Sequence, residues 1–153
     1  MKMALYKLIV TLLISLCLIL PLTQASKFEY CGNKDYAVKV SGVKISPNPV
    51  KKGKPATFTI SATTSETITG GKLRVDVRYF GFPVYGEYHN LCEETSCPVT
   101  GGDFVVSHSQ ELPGFTPSGS YSLTMKMIDG EGDELTCISF GFHIGSASSV
   151  TDI

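Results

Sequence analysis

The chain has 153 residues, 42% of them apolar and 18% charged, with a formal net charge of -1, yet its first 25 residues hold 18 of the 65 apolar side chains. Without them, 128 residues at about 37% apolar remain, with 11 Lys+Arg against 14 Asp+Glu. That is the composition of one small domain, and it excludes a nucleic-acid binder held by phosphate contacts and a barrel or doubly wound enzyme of usual size.

Lys2 and Lys7 precede a run from Leu8 to Leu20 that only Thr11 and Ser15 interrupt, followed by Pro21-Leu22-Thr23-Gln24-Ala25. A basic start, a short apolar run and small residues at the end predict a secretory signal peptide over 1–25, cleaved after Ala25. The run is too short for a spanning helix, which needs about 20 residues. The functional domain is then 26–145, and the small, polar residues 146–153 are expected to form a disordered tail.

Past residue 25, apolar residues alternate with polar ones, and helical periodicity is scarce. Val38, Val40, Val43 and Ile45 mark a first strand, with a kink near Ser41-Gly42 where the period slips by one. Phe58, Ile60 and Ala62 alternate with Thr57, Thr59 and Ser61. Over Lys72 to Tyr79, Leu73, Val75, Val77 and Tyr79 oppose Lys72, Arg74, Asp76 and Arg78, the pattern of a half-buried antiparallel strand. Phe104 to Val106 is a shorter candidate. Tyr121, Leu123, Met125 and Met127 then alternate with Ser122, Thr124 and Lys126, and Leu135 to Ile144 is continuous enough to be central. Turn chemistry separates the runs, for example Pro47-Asn48-Pro49, Gly70-Gly71 and Pro117-Ser118-Gly119. The spacing predicts an all-β sandwich of six or seven strands. It is not an ordinary immunoglobulin domain, because the chain has no Trp to pack against an inter-sheet disulfide.

Cys17 leaves with the leader, and an even set remains: Cys31, Cys92, Cys97 and Cys137. In an exported chain such a set signals disulfides. Of the three possible pairings, Cys92 with Cys97 and Cys31 with Cys137 needs the fewest assumptions. A zinc reading is weak, because Cys92-x4-Cys97 has no second close pair and His89, His108 and His143 follow no ligand spacing. Asp129 to Glu134 reads as a hairpin turn in preference to a calcium loop, since it lacks the length and distal Glu of an EF-hand. Glu87 and His89 read as surface loop, and no nucleophile stands at a defined spacing from them, so no catalytic residue and no cofactor is assigned.

The order of several short motifs resembles the ML domain, a lipid-recognition family with a sterol-transfer branch, a mite-allergen branch and a plant branch. The matching pieces are Phe28-Glu29-Tyr30-Cys31-Gly32, Ile45-Ser46-Pro47-Asn48-Pro49, Lys52-Gly53, Gly81-Phe82-Pro83-Val84, Cys92 to Cys97-Pro98, Leu112-Pro113, and Pro117-Ser118-Gly119-Ser120-Tyr121 through Asp129-Gly130 to Leu135-Thr136-Cys137. They span roughly Lys27 to Ile144. The resemblance implies an immunoglobulin-like sandwich of about seven strands whose sheets splay around a lipid. Two departures stand out: Asn48 occupies the place of a cysteine that begins a third disulfide in the sterol-transfer branch, and Tyr85-Gly86-Glu87-Tyr88 replaces a proline-rich run. The absence of a third bridge fits the plant branch better.

On this reading the protein is a secreted or lumenal, monomeric binder of a sterol, phospholipid or acyl chain. It touches membranes transiently and has no nucleic-acid partner. The alternative is an immunoglobulin-like interaction module with a closed core, acting through its loops. By alignment of motifs, Ile45, Val84, Tyr121, Leu123, Met125 and Met127 are the first candidates for lipid contact, with Phe58, Ile60, Leu73, Val75 and Val77 behind them. Phe80, Phe82, Tyr85, Tyr88 and Phe115, beside Gly81, Pro83, Gly86 and Pro113-Gly114, are the candidate entrance rim. No Lys-Asp-Glu-Leu signal ends the chain and no Asn-x-Ser/Thr site occurs in it, which favours onward export and leaves delivery through a glycan tag unsupported.

Overall fold

A computed structural model describes residues 1–17 and 25–146. Lys2–Cys17 forms helix α1, and its Leu5, Leu8, Leu12 and Leu13 are exposed. Among the described residues no helix is long and apolar enough to cross a membrane. Most of the segment leading to the expected cleavage point, and the expected tail beyond Ser146, lie outside the described residues. The sandwich begins at Ser26, whose N–H donates to the Val43 carbonyl at 2.8 Å.

Eight strands follow among the described residues: β1 (Phe28–Tyr30), β2 (Val38–Ser46), β3 (Pro55–Thr64), β4 (Gly71–Tyr79), β5 (Phe82–Asn90), β6 (Gly102–Glu111), β7 (Gly119–Asp129) and β8 (Glu134–Ile144). A single helical turn, α2 (Leu91–Glu94), lies between β5 and β6. One sheet has the order β1-β8-β7-β4-β5 and the other β2-β3-β6, and all paired strands are antiparallel. Alternation puts one face of each strand inside, as in β2, where Val38, Val40, Val43 and Ile45 are buried and Lys39, Ser41 and Lys44 are not. The expected kink is there, as a register shift between Val40 and Gly42. It turns Val43 and Ile45 back to the interior after the odd residue.

Two expectations need correction. The candidate over Phe104 to Val106 is part of the ten-residue β6, because the outer positions Ser107 and Ser109 and the polar inner positions His108 and Gln110 hide the alternation. Strand β8 lies inside its sheet, paired with β1 on one side and β7 on the other, in keeping with its continuous apolar run. The aromatic segment after Gly81 is a strand. It turns back from β4 through Phe80 and Gly81, both with positive φ (49° and 79°), the two-residue geometry that matches the twist of paired strands.

Both disulfides form, Cys31 to Cys137 and Cys92 to Cys97. The first closes 106 residues and anchors the segment after β1 to β8, while the second closes five around α2. In the loop-entropy model they contribute about 4 to 5 and about 2 kcal/mol. Guanidinium unfolding of the Cys31→Ser/Cys137→Ser and Cys92→Ser/Cys97→Ser pairs should therefore show the larger loss for the first. Equal losses would contradict the chain-entropy account.

Candidate functional site

Strand β5 ends one sheet and β6 ends the other. No ladder joins these facing edges, so the sandwich can open between them. A cavity of about 410 Å³ lies there, within the range of about 300–1,000 Å³ typical of small-molecule pockets.

Four aromatic rings support it. Phe58, on β3, meets Phe142, on β8, edge to face at 5.3 Å; Phe142 stacks on Tyr121 at 5.4 Å, and Tyr121 on Tyr79 at 4.5 Å. The row crosses from the three-stranded sheet to the five-stranded one, and all four rings line the cavity. The Tyr121 hydroxyl donates to the Pro117 carbonyl at 2.8 Å and that of Tyr79 to Ser118 at 3.1 Å, so both phenols are pinned to the β6–β7 loop. Gly119 makes room: with φ of 137°, any Cβ it carried would stand 3.2 Å from the Tyr79 ring. Burial, followed by the neighbouring Tyr79, raises the Tyr121 phenol above its ordinary range.

Aliphatic side chains complete the wall, among them Val75 and Val77 from β4, Leu123 from β7 and Leu112 after β6. The polar part lies along the β5–β6 opening. The Tyr85 hydroxyl donates to Glu87 Oε2 at 2.8 Å and reaches Gln110 Oε1 in the other sheet at 3.0 Å. Burial is the main cause that pushes the Tyr85 phenol up to about 12, and the hydrogen bond and charge of Glu87 add to it. Among the described residues, no lysine or arginine lines the cavity.

Of the eleven predicted lipid-contact residues, Phe58, Val75, Val77, Val84, Tyr121 and Leu123 line this cavity. Ile60, Leu73, Met125 and Met127 do not; they surround a separate void of only about 10 Å³ in the closed part of the sandwich. Ile45 is buried in the core outside both linings. Of the rim candidates, Tyr85 and Phe115 border the cavity. Phe80, Phe82, Val84 and Phe115 are exposed, Phe115 by 88%. Tyr88 is exposed as well, but it does not border the cavity. It shares the outward face of β5 with Gly86, one register step from Tyr85, and the Arg74 guanidinium lies 4.7 Å from its ring. Reading the sequence missed Tyr79, His108, Gln110, Leu112, Phe142 and Ile144 as wall residues. Tyr79, Phe142 and Ile144 sat in predicted strands at inward positions, whereas His108 and Gln110 emerge only when the alternation at Val106 is continued through polar residues.

Comparison with known proteins agrees with this arrangement. The family model described as ML domain matches residues 25–144. A Dictyostelium discoideum protein named as a phosphatidylglycerol/phosphatidylinositol transfer protein is 33% identical over 143 residues, covering 90% of this chain and 98% of its own. An MD-2-related lipid-recognition protein of Arabidopsis thaliana is 34% identical, covering 96% and 95%. Among solved structures, a Niemann-Pick type C2 protein from the Japanese carpenter ant superimposes with a TM-score of 0.62 at 17% identity, over 78% of this chain and 99% of that one. Chicken MD-1 complexed with lipid IVa gives 0.52 at 16%, over 74% and 85%. These two likenesses concern the fold.

The raised Tyr85 value carries a sign. The phenol's ordinary value is about 10, so the stabilisation of its neutral form is complete below pH about 10 and is lost as pH rises through about 12. Between those limits, the stability of Tyr85→Phe should fall less steeply than that of the parent, measured by urea unfolding at each pH. Identical slopes would mean that Tyr85 is not held in this environment.

Proposed function

Since the chain belongs to the ML-domain family, whose members are lipid-binding and lipid-transfer proteins and not enzymes, we propose that it shields the acyl part of an anionic phospholipid between its sheets and carries it between membranes. The observation that carries this reading is the cavity beside the β5–β6 opening, apolar over most of its wall and free of lysine and arginine. Apolar surface buried there is worth about 25 cal/mol per Å². A charged headgroup would gain no cationic partner inside, so it stays at the mouth.

Two features of the mouth fit such a cargo. The Gly53 N–H donates to the Leu112 carbonyl at 2.9 Å, which fixes the turn bearing Lys51, Lys52 and Lys54 beside the cavity wall. Lysines near an anionic lipid surface are worth about 1 kcal/mol each. Phe80, Phe82 and Val84 on the β4–β5 hairpin, with Phe115 on the β6–β7 loop, form an exposed apolar rim. Phe80 holds a positive φ, a backbone that disfavours bulky residues, so its exposed ring points to a use at the surface, namely transient contact with a membrane. Relatives named for phosphatidylglycerol and phosphatidylinositol transfer support this choice of cargo over a sterol. The disulfides and the apolar leader support an oxidising compartment, outside the cell or in an endomembrane lumen, after cleavage near Ala25. The protein acts as a monomer. A closed-core interaction module would leave the cavity without a use.

Transfer of a fluorescent phosphatidylglycerol between vesicles tests the proposal. Val77→Trp, which fills the cavity, should abolish uptake with the fold intact. Met125→Trp, forced into the closed region, should instead cost about 1–3 kcal/mol of stability. Phe82→Ser with Phe115→Ser should slow transfer severalfold while equilibrium binding persists. Lys52→Gln with Lys54→Gln should reduce transfer of the anionic lipid and leave phosphatidylcholine unaffected. Unchanged uptake by Val77→Trp would overturn the cavity assignment. Displacement of the probe by a sterol but not by phosphatidylglycerol would overturn the choice of cargo.

A further inference from the structure

Where the β5–β6 edge closes beyond the cavity, three side chains from separate elements meet. His89 projects from the inner side of β5, opposite Leu73, and His108 from the inner side of β6, beside Phe58. Their rings lie 4.5 Å apart, centroid to centroid. Glu94 closes the group from α2, with Oε1 at 3.3 Å from His108 Nδ1. One donor atom from each of the three lies within 4.8 Å of the other two.

The local sequence holds Glu94 there. The Asn90 side chain caps α2 by accepting from the Cys92 N–H at 3.0 Å, and Leu91 is fully buried. The Thr95 hydroxyl donates to the Val105 carbonyl of β6 at 2.7 Å, and the Cys92–Cys97 bond closes the turn. The carboxylate is thus carried from the β5 edge across to the β6 edge.

The group is incomplete as a hydrogen-bonded set. His108 is 98% buried, and among the described residues its Nε2 has no partner; nor has the buried Nε2 of His89. Buried polar atoms are nearly always paired, and a neutral imidazole keeps a lone pair on one nitrogen. One buried and one half-buried imidazole, with one carboxylate, therefore offer two nitrogen donors and one negative charge in a confined space.

We propose that His89, Glu94 and His108 form a site for a divalent transition-metal ion, zinc being the ion that this donor set fits best. Two imidazoles and a carboxylate suit zinc, whereas calcium and magnesium prefer all-oxygen shells. Bond lengths of about 2.0–2.1 Å in a tetrahedron put donors about 3.3 Å apart, the separation already present between His108 and Glu94. Rotation of the half-buried His89 brings in the third donor, and its partial exposure leaves an entry path. The fourth position falls to water. The ion would tie the two sheet edges together next to the lipid cavity, which His108 also lines. The spacing of His89 and His108 along the chain, 19 residues without a motif, gives no hint of this; only the sandwich brings them face to face.

The purified full chain, stripped with EDTA, is titrated with Zn²⁺ by calorimetry and with Co²⁺ by visible absorption. The site predicts one saturable equivalent, the intense ligand-field bands of four-coordinate cobalt, and a rise in Tm with zinc. His89→Ala and Glu94→Gln, which spare the buried His108, should each weaken binding at least about tenfold. His143→Ala, on the exposed face of β8, should bind as the parent does. Absence of a saturable equivalent, or binding that survives both site variants or is lost in His143→Ala, would overturn the proposal. Circular dichroism of each variant identifies any loss that comes from unfolding.

Discussion

The row of rings from Phe58 through Phe142 and Tyr121 to Tyr79 sets the spacing of the two sheets at the end where they part. Packed β-sheets stand about 10 Å apart when aliphatic side chains interdigitate between them. Here flat rings bridge the gap, two of them with hydroxyls bonded to the β6–β7 loop. Neither the rings nor the loop can collapse into the space beside them. At the other end, Ile60, Leu73, Met125 and Met127 meet with almost no void, and the sandwich closes in the ordinary way. One fold therefore contains a closed core that holds it together and an open pocket that the closed core does not need.

Openness on the β5–β6 side follows from strand order. A strand at a sheet edge has one unpaired side, and proteins usually cover or blunt such edges. Here two edges face each other. Tyr85, Glu87 and His89 on β5, and His108 and Gln110 on β6, turn polar groups into the gap. Tyr85 reaches Gln110 near the cavity and His108 reaches Glu94 farther along. These side-chain contacts join the sheets without a backbone ladder, so the edge can part for a ligand at less cost than breaking paired strands.

Much of this architecture is legible in the sequence. Lys72 to Tyr79 alternates cleanly, the kink at Ser41-Gly42 is a register shift, and both disulfides join the cysteines expected from spacing and position. Strand β5 was hidden because Pro83 and Gly86 are turn residues elsewhere and its inner positions include Glu87 and His89. Alternation could not separate pocket from core. Leu123 and Met125 are two residues apart on one face of β7, equally apolar and equally buried, yet the first lines the cavity and the second does not. The difference lies in what the opposite sheet presents, which no local pattern records.

The proposed occupant of the space between the sheets is a lipid. Native mass spectrometry of the chain purified from a eukaryotic secretory host, without detergent, tests it most directly. One bound lipid per chain is expected, released by organic solvent and identified as an anionic glycerophospholipid. A chain that emerges without ligand, and stays so after incubation with phosphatidylglycerol vesicles, would contradict it.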